Sequence, residues 1–562
     1  MLFAVVLIAL HAPLLRLPYF WDEAGYYIPA ARDLFAGSLI PYSTPSNAHP
    51  PLVMAWLALA WKILGQSQIV TRIAMLLLAA FSLLGFFRLA RTVANPTVAA
   101  CSTFLVAIYP VFFAQSSLAQ VDLPAAGFIF WGLEAYFRAK DVGTRMELGG
   151  RADSSVLIWF SLAALAKETA ILIPVALILW EIASRLRSQI SSSREAETRR
   201  GRYSPAQKGS IAEAVQSADH SFGTTGSRAL PEVSKRLQKN RSAELWMLFL
   251  TVVPLALWYA FHYARTGFVF GNPEFFRYNV QSTLHPLRIL LALLLRIWQT
   301  LGYLDLYVLT LACAVAMLFA PIKYAHGERA RIVIPVQFAF LAIAGVYLVS
   351  LSVVGGAVLA RYMLPVVPLV ILVCVSTIWR RLRAWKAVIA VIALAFISAL
   401  FINPPYGFSP EDNLAYRDYV RLHERAERFL EKRYSNARVL TAWPASDELT
   451  RPYLGYVSKP MQVVKIEDFS AEEVLSAADA RSRFDVALVF STKYQPQHTI
   501  FDRWRHWQEW KSRYFGYHVD LTPEIAASVL GGRVVYVDLR RGQWVGIIEL
   551  QRIEEAKLSG GN

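Results

Sequence analysis

What most limits the fold of this chain is a succession of apolar runs, each close to the length that crosses a bilayer. They cover residues 2–19, 69–88, 97–117, 123–138, 154–167, 169–184, 244–262, 303–321, 332–353, 362–379 and 386–402. About 20 apolar helical residues span the hydrocarbon core, so the runs predict a mostly α, polytopic membrane protein of about eleven transmembrane helices. Only 17% of the 562 residues are charged, against about 25% in an ordinary soluble domain, and the mean hydropathy is +0.37. The first run has no basic n-region and is expected to be retained as a span rather than cleaved.

A twelfth stretch, "PPLVMAWLALAWKIL" at 50–64, is apolar but short. The positive-inside bias decides its place. With 50–64 lying along the surface, one side of the membrane receives the connectors "RLARTVANP", "FRAKDVGTRMELGGR", "SRLRSQ…KNR", "PIKYAHGERAR" and "WRRLRAWK", all basic. If 50–64 crossed, every later connector would flip and the basic set would face outward. An interfacial helix with a cytoplasmic N-terminus follows. The opposite side then holds 20–68, 118–122, 263–302, 354–361 and the C-terminal tail. The runs 154–167 and 169–184 are short for crossings, and a kinked or partly re-entrant hairpin around Lys167 is an alternative.

Residues 1–402 thus form the predicted transmembrane domain. Within it, 188–242 is polar, without periodicity, and reads as a disordered cytoplasmic loop. From 403 to 562 the character changes. The strand-like runs "ARVLTAW", "MQVVKI", "FDVALVF", "GRVVYVDL" and "WVGIIEL" alternate with helical stretches, which predicts a soluble α/β domain outside the cytoplasm. The expected location is the inner or plasma membrane, with the C-terminal domain periplasmic or extracellular. The net charge of +16 sits largely in the cytoplasmic connectors and marks topology rather than a nucleic-acid partner. Cys101, Cys313 and Cys374 lie inside apolar runs and offer neither a disulfide framework nor a metal spacing.

Several ionisable features fall on the outer side, where cations are least expected: Asp22-Glu23 in "LPYFWDEAGYYIPAA", His49 in "NAHPPL", Asp122 in "SSLAQVDLP", Lys167-Glu168 in "LAKETA", and Arg361-Tyr362 in "LARYMLP". Charges at membrane depth are rare and mark functional cavities. Each has a structural alternative. Asp22-Glu23 and Asp122 suit helix N-termini, Lys167 can pair with Glu168, Arg361 can anchor a span end, and a lone interfacial His is ordinary. The aromatics Trp21, Tyr26 and Tyr27 suit an interfacial belt, and Tyr26 is also a candidate substrate contact. In the connection 262–279, His262, Asn272, Arg277 and Asn279 are candidates for contact with sugar or acceptor.

Two carboxylates and two or three cations in one outer layer fit transfer of a sugar from a lipid phosphate. A carboxylate takes the proton of an attacking hydroxyl, and cations stabilise the departing phosphate. The acidic pair after the first span, "HPPL", the pattern G-x-S-x-x-x-x-R from Gly65 to Arg72, "YPVFFAQSSLAQVD", "ALAKETAILIP" and "RYMLP", in that order, resemble GT-C glycosyltransferases. More narrowly, they resemble glycosyltransferase family 39: bacterial relatives of the dolichyl-phosphate-mannose protein mannosyltransferases and of the lipid A aminoarabinose transferases. The likeness covers about residues 1–190, thins at "RYMLP", and ends by 403.

The resemblance implies a GT-C fold and an inverting transferase. Its donor would be a polyprenyl-phosphate-linked sugar and its acceptor a lipid, glycan or protein. It implies that Asp22 is the base, Glu23 a neighbour in acceptor binding, and Asp122 the second acid at the reaction centre. Lys167, Arg361 and Tyr362 would line the lipid-phosphate cavity. Where the aminoarabinose transferases carry an acid and a lysine before Pro-Pro, this chain has Ala48 and His49, which moves the phosphate-binding role toward Lys167 or Arg361. Two separated acids, Asp22 and Asp122, permit a divalent metal (Mg or Mn) without requiring one. A transporter or flippase for lipid-linked sugars is the alternative, against which the absence of an internal repeat counts.

Overall fold

The computed structural model describes residues 1–144, 154–202, 245–324, 327–494 and 504–550. Five described helices are long and apolar enough to cross a membrane: Gln68–Val93, Glu168–Arg187, Leu245–Thr266, Pro286–Met317 and Ile334–Val353. They make the chain a multi-pass membrane protein. Leu2–Leu14, Leu52–Leu64, Pro96–Ile108, Ser154–Ala166 and Trp385–Phe401 are shorter apolar helices.

The apolar runs and the helices therefore do not correspond one to one, for local backbone reasons. The run 97–117 breaks at Tyr109, whose ψ of 127° separates Pro96–Ile108 from Pro110–Gln115. Pro110 disfavours the helical conformation of the residue before it. The pair 154–184 breaks at Lys167, which is extended between the helix Ser154–Ala166 and a short turn, Glu168–Ile171. Residues 286–301, expected inside an outer connection, form the helix Pro286–Leu301 and run into the apolar helix Leu306–Met317 through a kink where Leu304 and Asp305 have positive φ. Residues 188–202, expected to begin a disordered loop, instead continue the helix Leu172–Arg202. The rest of that loop lies outside the described residues.

The C-terminal runs form a five-stranded sheet in the order Gln462–Ile466, Arg438–Ala442, Val486–Phe490, Gln543–Leu550, Gly532–Arg540. The first three strands are parallel, and the last two add as an antiparallel hairpin. Val486–Phe490 is buried along its whole length, as a central parallel strand covered on both faces requires. The helix Ala415–Arg433 lays one face against the hairpin, with Leu422, Ala426 and Leu430 buried.

This sheet unit is not packed apart from the rest. One continuous apolar core joins Leu14–Ala31 and the helix Leu52–Leu64 to residues of the sheet. Tyr19 is held at both polar backbone groups: its N–H donates to the Leu454 carbonyl at 3.1 Å, and its carbonyl accepts from the Tyr456 hydroxyl at 3.0 Å. Phe20 meets the Tyr419 ring edge-on at 5.3 Å, and Trp21 meets Trp443 at 5.0 Å. A Cβ at Gly25 would stand 2.7 Å from the Trp443 indole. Only glycine allows that approach, so the acidic segment is seated on the C-terminal unit.

Candidate functional site

The backbone around the acidic pair explains why adjacent acids do different things. Trp21 has a φ of 46°, a left-handed conformation that is a genuine outlier for so bulky a residue. Glu23–Tyr27 then form a single π-helical turn before the α-helix Ile28–Phe35. Such turns recur at functional sites. Together they send the Asp22 and Glu23 side chains to different partners.

Glu23 is fully buried and enclosed by donors. One oxygen accepts from the Phe20 N–H at 2.8 Å; the other accepts from the Ala119 N–H and forms an ion pair with Arg72. Arg72 completes its own fork on the carbonyls of Ser117 (2.9 Å) and Pro18 (3.1 Å). This accounts for the spacing from Gly65 to Arg72: Ser67 caps the helix Gln68–Val93, its hydroxyl accepting from Val70 N–H at 3.3 Å, and Arg72 then sits one turn in. Glu23 is thus spent on holding three chain segments together.

Asp22 points the other way. Its side chain keeps 31% of its exposure and pairs with Arg361, which is almost wholly buried. The Arg361 guanidinium also binds Glu411 and lies 3.2 Å, through Nε, from Asp122 Oδ2. The other oxygen of Asp122 pairs with Lys167. Lys167 Nζ stands 3.8 Å from the centre of the Tyr362 ring, and Arg296 approaches the same ring at 5.3 Å. Asp22, Asp122, Lys167, Arg361 and Tyr362 therefore meet, although Asp22 and Arg361 are 339 residues apart. The expected alternative of a Lys167–Glu168 pair is not formed. Glu168 instead takes His49 Nδ1 at 3.1 Å.

His49 follows Ala48, a second residue with positive φ (55°). The Ala48 carbonyl accepts from the Trp258 indole N–H at 2.9 Å. Tyr26, Ser46, His49, Pro51, Met54 and Trp258 line a cleft. Tyr27 and Tyr26 both contact the imidazole, at 5.9 and 5.5 Å between ring centres. Asn272 does not join the ionic cluster. Its side chain caps the helix Pro273–Asn279, accepting from Phe275 N–H at 2.9 Å, and its amide donates to the Ser46 carbonyl at 3.2 Å. His262 is likewise bound to Ser46 Oγ and the Phe268 carbonyl, Asn279 holds Gly356 N–H at 3.0 Å, and Arg277 is exposed.

Asp22 and Asp122 do not fit a divalent metal as they stand. Arg361 lies between them and Lys167 neutralises the far oxygen of Asp122, so an ion placed there would face two cations.

Three polar residues of this region carry no signal in the sequence reading. Glu411, held by Gln120 Nε2 at 3.0 Å, follows the last apolar run, where the chain reads as soluble. Burial pushes its carboxyl above the ordinary value against the pull of Arg361. Asp412 accepts from the Tyr303 hydroxyl at 2.6 Å, and burial, with the neighbouring Glu411 charge, raises its carboxyl to about 8. Arg296 belongs to the buried face of Pro286–Leu301. It donates to the Leu359 carbonyl at 2.8 Å, and Gln299 beside it donates to Val358 at 2.8 Å, fixing the stretch before Arg361.

Asp412 sets a pH dependence. From its ordinary 3.8 up to about 8 the folded protein keeps a proton that the unfolded chain releases, so stability falls as pH rises through that window. The melting temperature of the solubilised protein should decline over this range, and Asp412→Asn should flatten the decline. An unchanged slope in the variant would assign the effect elsewhere.

The family model described as dolichyl-phosphate-mannose-protein mannosyltransferase matches residues 48–195, a stretch that includes His49, Arg72, Asp122 and Lys167. No curated protein matches the chain by sequence. Among solved structures, ArnT from Cupriavidus metallidurans bound to undecaprenyl phosphate superposes with a TM-score of 0.52 at 12% identity, covering 97% of each chain. Its apo form gives 0.49, also at 12% identity and 97% of each chain. Archaeal AglB from Archaeoglobus fulgidus, in complex with an inhibitory peptide and a dolichol-phosphate, gives 0.40 at 11% identity, over 94% of this chain and 70% of that one. The chain has the GT-C fold of ArnT along nearly its whole length. The likeness drawn from the motifs is borne out.

Proposed function

We propose that the chain is a membrane glycosyltransferase that moves a sugar from a polyprenyl-phosphate donor to an acceptor hydroxyl or amine at the outer face of the membrane. The observation that carries this reading is the single ionic cluster of Asp22, Arg361, Asp122 and Lys167, in which Asp22 keeps the most exposure. Undecaprenyl phosphate is present in the ArnT structure that shares the fold, which supports a lipid-phosphate donor.

In the proposed reaction the acceptor attacks the anomeric carbon from the face opposite the phosphate. A bond from carbon to acceptor forms as the carbon–oxygen bond to phosphate breaks, inverting the centre. Asp22 takes the acceptor proton, and the bonding pair leaves on the phosphate oxygen. Lys167 and Arg296, on the Tyr362 ring, stand where that charge is stabilised. Arg361 orients Asp22, with Asp122 and Glu411 fixing the guanidinium in turn. Glu23 supports the segment rather than the acceptor. His49 and Tyr26 face the adjoining cleft, on the acceptor or sugar side. No step passes through Mg or Mn.

The test is to reconstitute the protein with a polyprenyl-phosphate sugar and follow donor loss. Consumption that depends on acceptor supports transfer; movement of intact donor across the bilayer without consumption would favour a flippase instead. Lys167→Ala should weaken donor binding by roughly 10–100-fold, the value of a charge-assisted hydrogen bond. Unaltered donor affinity would remove Lys167 from the phosphate site.

A further inference from the structure

Behind the acidic segment, in the C-terminal unit, lies a second buried cluster that the proposed reaction does not use. His423 and Glu427 stand one turn apart on the same face of the helix Ala415–Arg433, and Glu448 comes from the helix Ala445–Thr450. All three are closed to solvent, at 1%, 0% and 0% side-chain exposure. His423 Nδ1 lies 2.7 Å from Glu448 Oε2 and 3.6 Å from Glu427 Oε1. One ligand atom from each falls within 4.8 Å of the others. Rings form the wall: Tyr419 stacks on the imidazole at 4.1 Å and Phe490 meets it edge-on at 4.5 Å.

Two carboxylates in so dry a place must be neutralised. Among the described residues their ion pairs are to His423 alone. Among the described residues, no N–H or hydroxyl donor meets either oxygen of Glu427 or Oε1 of Glu448, all of them buried; the two carboxyl groups face only each other and the imidazole. A proton shared between Glu427 and Oε1 of Glu448 would still leave the second oxygen of Glu427 without a donor, since Oε2 of Glu448 is already taken by His423. A divalent cation cancels both charges, uses the imidazole as a neutral ligand, and turns the unpartnered oxygens toward a ligand field. Nitrogen and carboxylate donors suit zinc or manganese. For zinc, bonds of about 2.1 Å set ligand atoms about 3.4 Å apart, and the two measured separations from the imidazole nitrogen bracket that spacing.

We infer that His423, Glu427 and Glu448 form a structural site for a divalent transition metal, zinc or manganese, which pins two helices behind the catalytic segment. The consequence reaches Asp22 through packing. Tyr419, one turn before His423, contacts both Phe20 and Trp21, and Trp443, ahead of Glu448, covers Trp21 and Gly25. The metal would brace the wall against which Trp21 holds its left-handed conformation. It is separate from the donor site and contributes nothing to charge at the reacting atoms.

The full-length protein, solubilised in detergent and purified without immobilised metal, is analysed for bound metal by mass spectrometry. About one equivalent of zinc or manganese per chain is expected, either as purified or after incubation with Zn²⁺ and removal of excess. Its melting temperature should fall on chelation and recover on adding Zn²⁺. Glu427→Gln should lose the metal and the response to chelator together. A wild-type protein that neither contains nor takes up metal overturns the inference, as does equal metal in Glu427→Gln. If that variant does not fold, the zinc-edge X-ray absorption spectrum of the wild type decides. One imidazole nitrogen with carboxylate oxygens upholds the site, and any other ligand set refutes it.

Discussion

Asp22→Asn is expected to lower turnover by about 10²–10⁴-fold, the range for loss of a positioned general base, while donor affinity and melting temperature change little. The substitution keeps the shape of the side chain and the amide oxygen still accepts from Arg361. The guanidinium retains Asp122 and Glu411, so its charge is not stranded. In the proposed reaction, what disappears is the ability to take a proton from the acceptor. Turnover by the variant should depend less on pH than that of the wild type, and a more acidic acceptor should be affected less than an ordinary alcohol. Turnover within a few-fold of wild type, with the donor bound normally, would remove Asp22 from the chemistry. Asp122→Asn offers the contrast. It strips a buried partner from both Lys167 and Arg361, so it should disturb binding and folding along with rate.

How far the site was legible depended on which residues apolar runs could place. Asp22, Asp122, Lys167 and Arg361 border such runs, so loop-charge parity put them in one layer, and the structure joins them in one ionic cluster. Parity orders ends and does not say which groups touch. By parity alone Lys167 can equally pair with Glu168, whereas the extended backbone at Lys167 turns it to Asp122 and leaves Glu168 to His49. Glu411 and Asp412 stand in "FSPEDN", where nothing local separates two buried acids from a solvated turn. Arg296 shows its role only once Pro286–Leu301 is a helix, because its partners are backbone carbonyls before Arg361 and not another motif.

The fold shows the same division. Val486–Phe490 and its neighbouring strands stood out because a strand covered on both faces is an unbroken apolar run. The helices of the membrane part were less legible. Hydropathy counts side chains, while a break at Tyr109–Pro110 or a kink at Leu304–Asp305 is decided by backbone donors and dihedral angles. That the C-terminal unit forms the seat of the acidic segment was likewise out of reach, since Gly25 against Trp443 is a contact across more than four hundred residues.

Glu23→Gln should cost about 3–5 kcal/mol of stability, the penalty for stranding one partner of a buried ion pair. Glutamine fits the same space and still accepts from Phe20 N–H or Ala119 N–H. It cannot cancel the charge of Arg72, which is itself closed to solvent. Removing both charges together, as Glu23→Gln with Arg72→Met, should recover most of that loss, because an apolar stem tolerates burial where a lone guanidinium does not. Denaturant titration of the solubilised single and double variants measures the two steps. A single variant within about 1 kcal/mol of wild type would mean that water reaches the pair, as it does for surface pairs. Activity then separates the two parts that Glu23 could play. As a brace for the segment that presents Asp22, its loss in the double variant should be largely made good in turnover as well as in stability. If Glu23 touches the acceptor, stability would return and turnover would not, because repairing the fold does not restore a carboxylate at the reacting face.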